Sequence, residues 1–167
     1  APKFTVAAIL SALEYRRRTG RGQYIDLSQA EASQAFLGPA ILDYTVNGVV
    51  DRRAGNTSPL YCPHGVYPCQ GEDDWVAIAA TDETEFAALA NATGNAAWLS
   101  DPRFATIAAR RANRDALDKE LAAWTSSHTR DQAEKALVGA GVPAHRVEGS
   151  AGMAGDPQLA HRRHFRM

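Results

Sequence analysis

Apolar and polar positions follow two periods along this chain, and the places where the period changes divide it into elements. In residues 4–18, Phe4, Ala7, Ala8, Leu10 and Ala12 are small or apolar, and apolar side chains reach nearly every face as far as Leu13. That pattern predicts a helix made to be covered on most sides. Its last turn is Glu14-Tyr15-Arg16-Arg17-Arg18, with cations at the negative end of the helix dipole and Gly20 placed for a left-handed cap. Residues 23–27 then alternate polar and apolar, which predicts a half-buried strand. Ser28 and Glu31 have the S-x-x-E spacing of a capping box, opening a second helix from Gln29 to about Leu37. Pro39 breaks or kinks it before an apolar continuation at Ile41 and Leu42, and Asn47-Gly48 marks a turn.

Residues 49–63 show neither period. Their Gly, Asn and Pro positions predict an ordered loop, and a loop of this length is usually functional or a linker. We place the domain boundary there. A hairpin follows: residues 66–69, a turn at 70–74, and residues 75–80, a strand that is apolar throughout and therefore expected to be buried on both faces. Thr81 is the expected cap of the next helix, with Asp82, Glu83 and Glu85 in its first turn and Phe86, Leu89 and Ala90 as its inner stripe. Residues 100–104 form a compact turn. Asn113 is expected to cap a helix over residues 114–124 with Leu117, Leu121 and Trp124 on one face. Thr129 caps another from Arg130 to about Ala140. Residues 142–147 are extended, and a short helical signal lies at residues 156–161.

Composition narrows the function classes. The chain has 167 residues, 18 Lys and Arg against 19 Asp and Glu, and a net charge of −1. This near balance gives no basis for binding nucleic acid or an acidic membrane. No apolar run approaches the roughly 20 residues of a membrane span. The chain opens Ala1-Pro2-Lys3-Phe4 with no Met and no basic leader, straight into a helix, as expected where a leader has been removed or the chain was cut from something longer. Cys62 and Cys69 do not form a CxxC pair. Together with His64 they match no standard zinc spacing and lack a fourth ligand, so they are expected to be reduced structural thiols in a cytoplasmic protein, and no metal site is expected.

Individual motifs carry little chemistry. The run Arg16 to Gln23 is a capped helix end that could also touch a phosphate, but it is no phosphate-cradling loop, because its glycines follow the helix. His161-Arg162-Arg163-His164 reads as a solvated charge run. His64 stands among prolines and aromatics that would hold it rigid, either as a structural side chain or as a functional one. Asp82 and Glu83 read first as helix-start acids, and no G-x-S-x-G elbow is present.

The order of segments carries more. Ala8-Ile9-Leu10-Ser11-Ala12-Leu13 followed by Arg16-Arg17-Arg18-Thr19-Gly20-Arg21-Gly22-Gln23-Tyr24-Ile25-Asp26-Leu27-Ser28 resembles the hallmark of the family III CoA-transferases. This family includes the carnitine and bile-acid CoA-transferases, formyl-CoA transferase and the α-methylacyl-CoA racemases. Arg53-Ala54-Gly55-Asn56 with Pro59 resembles the family's linker. Gly65-Val66-Tyr67-Pro68 and Trp75-Val76-Ala77-Ile78-Ala79 resemble its small-domain hairpin. Asp101-Pro102-Arg103-Phe104, then Ala108, Arg110, Asn113 and Arg114, resemble the next element. Ala140-Gly141-Val142-Pro143-Ala144 and Asp156-Pro157-Gln158-Leu159 complete the series.

The resemblance implies an α/β fold: residues 1–48 as a helix–strand–helix remnant of a Rossmann-like large domain, 49–64 as a linker loop, and 65–167 as an α+β small domain starting to return to the large one. It implies a transfer of CoA from an acyl-CoA to a carboxylic acid through an aspartyl anhydride and an aspartyl-CoA thioester. The nucleophilic Asp would fall upstream of Ala1, so no catalytic residue is expected within these residues, and they are expected to be inactive alone. The implied substrate contacts are Asn56, Ser58, Tyr61 and His64. The coenzyme A thioester enters as substrate, with no bound cofactor. In formyl-CoA transferase a glycine-rich loop closes over the Asp; the matching residues 57–62 have no glycine, and Pro59 and Pro63 imply a stiffer loop. The resemblance also implies a homodimer for the full-length protein. On the racemase branch a Glu at the start of the helix after the hairpin lies near the active site, and Glu83 matches it; there the chemistry would be proton exchange α to the thioester. A non-catalytic interaction module that keeps the fold is the third possibility. In these residues alone, the leading helix is expected to expose apolar surface.

Overall fold

The computed structural model describes residues 2–165. The backbone falls into two compact units that meet in sequence between Arg53 and Ala54.

The first unit is helical: α1 (Pro2–Thr19), α2 (Gln29–Gln34) and α3 (Gly38–Asn47). Arg16, Arg17 and Arg18 occupy the last turn of α1, and Gly20 lies at φ +72°, as the cap pattern requires. The Ser28 side chain accepts the Glu31 N–H at 3.3 Å, completing the expected N-cap of α2. The chain turns before Pro39, which sits in the first turn of α3, and Gly48 ends α3 in the left-handed conformation. Residues 23–27 form no strand. No strand runs beside them among the described residues of this unit, and alternation without a ladder leaves the backbone N–H and C=O groups to water. None of the three helices buries a residue, and Val6, Ile9, Leu10 and Leu13 are exposed along α1.

The second unit is α+β. Strands β1 (His64–Pro68), β2 (Trp75–Ala79) and β3 (Ala144–Arg146) form an antiparallel sheet in the order β1-β2-β3. Helices α4 (Glu83–Ala92), α5 (Ile107–Ala112), α6 (Arg114–Thr125), α7 (Arg130–Gly139), α8 (Ser150–Gly155) and α9 (Pro157–His161) complete it, with a 3-10 turn at Ala96–Leu99. The registers Tyr67↔Val76 and Gly65↔Ile78 put these four residues on one face. Tyr67, Val76 and Ile78 are buried there with Phe86 and Leu89 of α4, Leu117 and Leu121 of α6, and Ala133 and Leu137 of α7. Gly65 lies under the Tyr67 ring, where a Cβ would come within 3.1 Å of the hydroxyl.

The other face of the sheet departs from the apolar pattern of β2. His64↔Ala79, Val66↔Ala77 and Ala77↔His145 point away from the core, and Ala77 and Ala79 are only half-buried. The core helices pack on the inner face, so the methyls of Ala77 and Ala79 floor an open surface. Two caps also differ. Asp82 caps α4, accepting the Glu85 N–H at 2.8 Å, while Thr81 donates its N–H and hydroxyl back to Glu85 Oε2. Thr81 stands one residue too early to reach the first turn. Asn113 precedes α6 but makes no side-chain cap bond to it; its Nδ2 donates to the Ala109 and Arg103 carbonyls. Thr129 caps α7 as expected, and the structure adds Gln132 to complete a capping box.

Leu121 is fully buried at the centre of this core. Leu121→Ala is expected to lower stability by about 2–5 kcal/mol, read as a shift of the urea midpoint with unchanged slope.

Candidate functional site

The candidate site lies on the outer face of the sheet, where the end of the loop meets β1. A cleft of about 680 Å³ is lined there by Asn56, His64, Ala77, Ala79, Pro143 and His145, among others. Its floor is apolar and small-sided, and its polar groups stand at the edges.

The loop is shaped by local hydrogen bonds. The Thr57 N–H and hydroxyl donate to the Ala54 carbonyl. Ser58 Oγ accepts the N–H groups of Leu60 at 3.0 Å and Tyr61 at 3.2 Å. His64 Nδ1 lies 2.7 Å from the Asn56 carbonyl oxygen. A carbonyl only accepts, so Nδ1 carries a proton and neutral His64 keeps its lone pair on Nε2. His145 is held in the same manner, with Nδ1 2.6 Å from the Arg146 carbonyl, and its Nε2 stands 3.6 Å from Glu134.

The structure thus brings together two of the four substrate-contact residues expected from the resemblance. Asn56 and His64 line the cleft, whereas the lining does not include Ser58 or Tyr61. The Ser58 hydroxyl is occupied within its own turn, and Tyr61 is half-buried. Glu83 belongs to another region. Its Oε2 is 2.8 Å from Arg110 Nη1, and its Oε1 accepts the Ile107 N–H at 3.2 Å.

Behind the loop lie two arginines from adjoining helices. Arg110 of α5 is fully buried: its Nε donates to the Cys62 carbonyl at 2.8 Å, its Nη1 donates to the Phe104 carbonyl at 3.0 Å as well as to Glu83, and its guanidinium lies 4.0 Å above the Phe86 ring. Arg114 at the start of α6 donates from Nη2 to the Ser58 carbonyl at 2.7 Å. Residue-level reading singled out neither; their signal was their place in the Asp101-to-Arg114 segment of the family resemblance. His145 was read only as part of an extended stretch.

A second, narrower recess runs from His64 past Tyr67 to Asp118 and Lys119. Tyr67 donates its hydroxyl to Asp118 Oδ1 at 2.7 Å. Burial raises the Asp118 carboxyl above its ordinary value, outweighing the Tyr67 hydrogen bond and the Arg114 charge. Burial likewise raises the Tyr67 phenol, helped by its hydrogen bond to Asp118, and keeps the buried Cys62 and Cys69 as thiols. Among the described residues, no three His, Cys, Asp or Glu side chains gather as a metal site, and no helix is long and apolar enough to cross a membrane.

Comparison with known proteins gives a consistent set of relatives. The model of CoA-transferase family III matches residues 1–167. The chain is 36% identical to succinyl-CoA–D-citramalate CoA-transferase of Chloroflexus aurantiacus over 97% of its own length and 40% of that protein's. It is 34% identical to acetyl-CoA:oxalate CoA-transferase of Acetobacter aceti, over 95% of this chain and 40% of that one. A solved CAIB/BAIF family protein from Brucella suis superposes with a TM-score of 0.81 at 34% identity, covering 95% of this chain and 42% of its own. The chain therefore spans about 40% of the length of these curated relatives.

The Asp118 shift sets the sign of a pH dependence. The folded state holds this proton more tightly than the unfolded chain, whose carboxyl titrates near 3.8. Between that value and the raised folded value the native state binds more protons, so stability falls as pH rises through the window. Asp118→Asn keeps an acceptor for Tyr67 and removes the titration. It is expected to flatten the decline and to be at least as stable as wild type near neutral pH, in urea unfolding followed across acidic to neutral pH. A variant less stable at neutral pH with the wild-type slope would contradict this.

Proposed function

We propose, because this chain belongs to CoA-transferase family III, that it supplies the linker and small domain of an enzyme moving coenzyme A between carboxylic acids. One observation carries the proposal: sequence identity of more than a third runs across almost the whole chain to relatives named as CoA-transferases. In this reading residues 1–48 belong to the large domain, 49–64 are the linker and 65–167 the small domain. The enzyme is a cytoplasmic homodimer, and the nucleophilic aspartate lies outside these residues.

The chemistry follows from a carboxylate nucleophile. The aspartate attacks the thioester carbonyl of the donor, expels the CoA thiolate and leaves a mixed anhydride. The thiolate then attacks the aspartyl carbonyl and releases the donor acid, leaving an aspartyl-CoA thioester. The acceptor carboxylate reverses the two steps and departs as the new acyl-CoA. Within this chain, Asn56 and His64 contribute at the cleft edge. Neutral His64 offers the Nε2 lone pair to a substrate hydroxyl or N–H, and its imidazolium would donate to a carboxylate. The small floor of Ala77 and Ala79 leaves room for the ligand. Glu83 serves as the partner of Arg110, and Ser58 shapes the loop.

The test uses the whole protein that contains this chain, incubated with succinyl-CoA and a panel of mono- and dicarboxylic acids. At least one acid is expected to become a CoA thioester, in step with release of succinate and without net free CoA. His64→Ala is expected to lower kcat/KM by roughly tenfold, the order of one lost polar contact. Absence of transfer to every acid would sink the transferase reading; transfer unaffected by His64→Ala would remove His64 from the site.

A further inference from the structure

We propose that Arg114, backed by Arg110, is a positioning residue: it staples the loop of residues 56–63, which leads from Asn56 to His64 at the cleft edge, so that access to His64 does not wait for a loop to open. The loop carries little burial of its own. Asn56, Thr57, Pro59 and Leu60 are exposed, and only Cys62 and Pro63 at its far end are buried. Apolar packing therefore does not hold its outer half. Hydrogen bonds do, and they come from separate places in the chain.

The ends are joined by His64 Nδ1 to the Asn56 carbonyl. The middle is folded by Ser58 Oγ, which takes two backbone N–H groups. Two guanidiniums then tie the loop to helices far away in sequence: Arg114 Nη2 to the Ser58 carbonyl at 2.7 Å, and Arg110 Nε to the Cys62 carbonyl at 2.8 Å. Charged donors make the stronger class of hydrogen bond. Ser58 is where the two kinds of restraint meet, its hydroxyl folding the turn and its carbonyl taking the staple. Between Asn56 and His64 there is no glycine, and Pro59 and Pro63 remove two more backbone freedoms. Each feature restricts the same segment, and Asn56 and His64, at its two ends, line the cleft. The kinetic part of this inference rests on the transferase reading; the structural part does not.

The two parts have separate tests. In the 167-residue chain, hydrogen exchange is followed at the Leu60 and Tyr61 amides, with Val76 and Ile78 as core references. Both loop amides are expected to be protected in wild type. Arg114→Met is expected to speed their exchange by about tenfold or more, the scale of one lost charge-assisted bond, and to leave the core amides unchanged. Arg114→Lys, which keeps a cationic donor, is expected to recover most of the protection. If Arg114→Met does not fold, Arg114→Gln takes its place, being too short to reach the carbonyl. In the whole enzyme, Arg114→Met is expected to raise KM for the acceptor acid about tenfold, with kcat within about twofold, because loop ordering is then charged to substrate binding; Arg114→Lys restores KM. Wild-type loop amides that exchange like exposed peptide, or exchange that Arg114 substitution does not change, would overturn the staple. So would a loss confined to kcat. Protected and Arg114-dependent loop amides in an enzyme that transfers no CoA would support the staple and leave only the transferase reading refuted.

Discussion

A single buried charge organises the second unit. Arg110 has no exposed surface, and a guanidinium withdrawn from water needs partners for its donors and its charge; here Nε and Nη1 find them, while the buried Nη2 has no hydrogen-bond partner among the described residues. The answers come from four directions: the Cys62 carbonyl from the end of the linker loop, the Phe104 carbonyl from the turn before α5, the Glu83 carboxylate from the first turn of α4, and the Phe86 ring below. None of these neighbours is close to Arg110 in sequence except Phe104. The charge therefore fixes where a loop, a turn and two helices stand with respect to one another, within one unit, by the requirement that each supply its share. Removing one member of such a set leaves the buried guanidinium less satisfied.

The cleft inherits its shape from this arrangement. Cys62 and Pro63 are buried against the core, and β1 begins at the next residue, so the position of the Cys62 carbonyl sets where the outer face of the sheet starts. His64 emerges on that face because Gly65 and Tyr67 take the inner one. The closeness of Gly65 to the Tyr67 hydroxyl and the bond from that hydroxyl to Asp118 hold the alternation in register. A one-residue slip would turn His64 inward and Tyr67 out.

Much of this was legible in the sequence, for local reasons. Helix ends were readable where a cap is a local event: Ser28, Thr129, Gly20 and Gly48 act on backbone within a few residues. The hairpin was readable because its turn and its apolar run are contiguous. Failures arose where the deciding partner is distant. Residues 23–27 alternate correctly but have no neighbouring strand. The β2 run is apolar on both faces, yet alanine methyls do not compel a covering layer. Thr81 and Asp82 are both capping types, and the backbone geometry chose the second. At the cleft, His64 stood out in the sequence because it lies in an irregular loop among prolines and aromatics, whereas Asn56 entered only through the family resemblance. Arg110 did not stand out, because α5 is too short for a periodic pattern and Arg110 and Arg111 look alike in sequence, although one is buried and the other exposed.

The same geometry bears on Glu83, the residue with two possible roles. A base that exchanges a proton with a substrate alternates between carboxylate and acid. Among the described residues the carboxylate is the one negative group that contacts the Arg110 guanidinium, and its second oxygen accepts the Ile107 N–H at the start of α5. Protonation would leave the buried guanidinium with carbonyls and a ring face but no counter-charge, and would weaken the hold on α5 together with it. With 58% of its side chain exposed, Glu83 is partly screened by water. The geometry therefore favours Glu83 as a fixed counter-ion, apart from the open sheet face where His64 Nε2 faces the cleft.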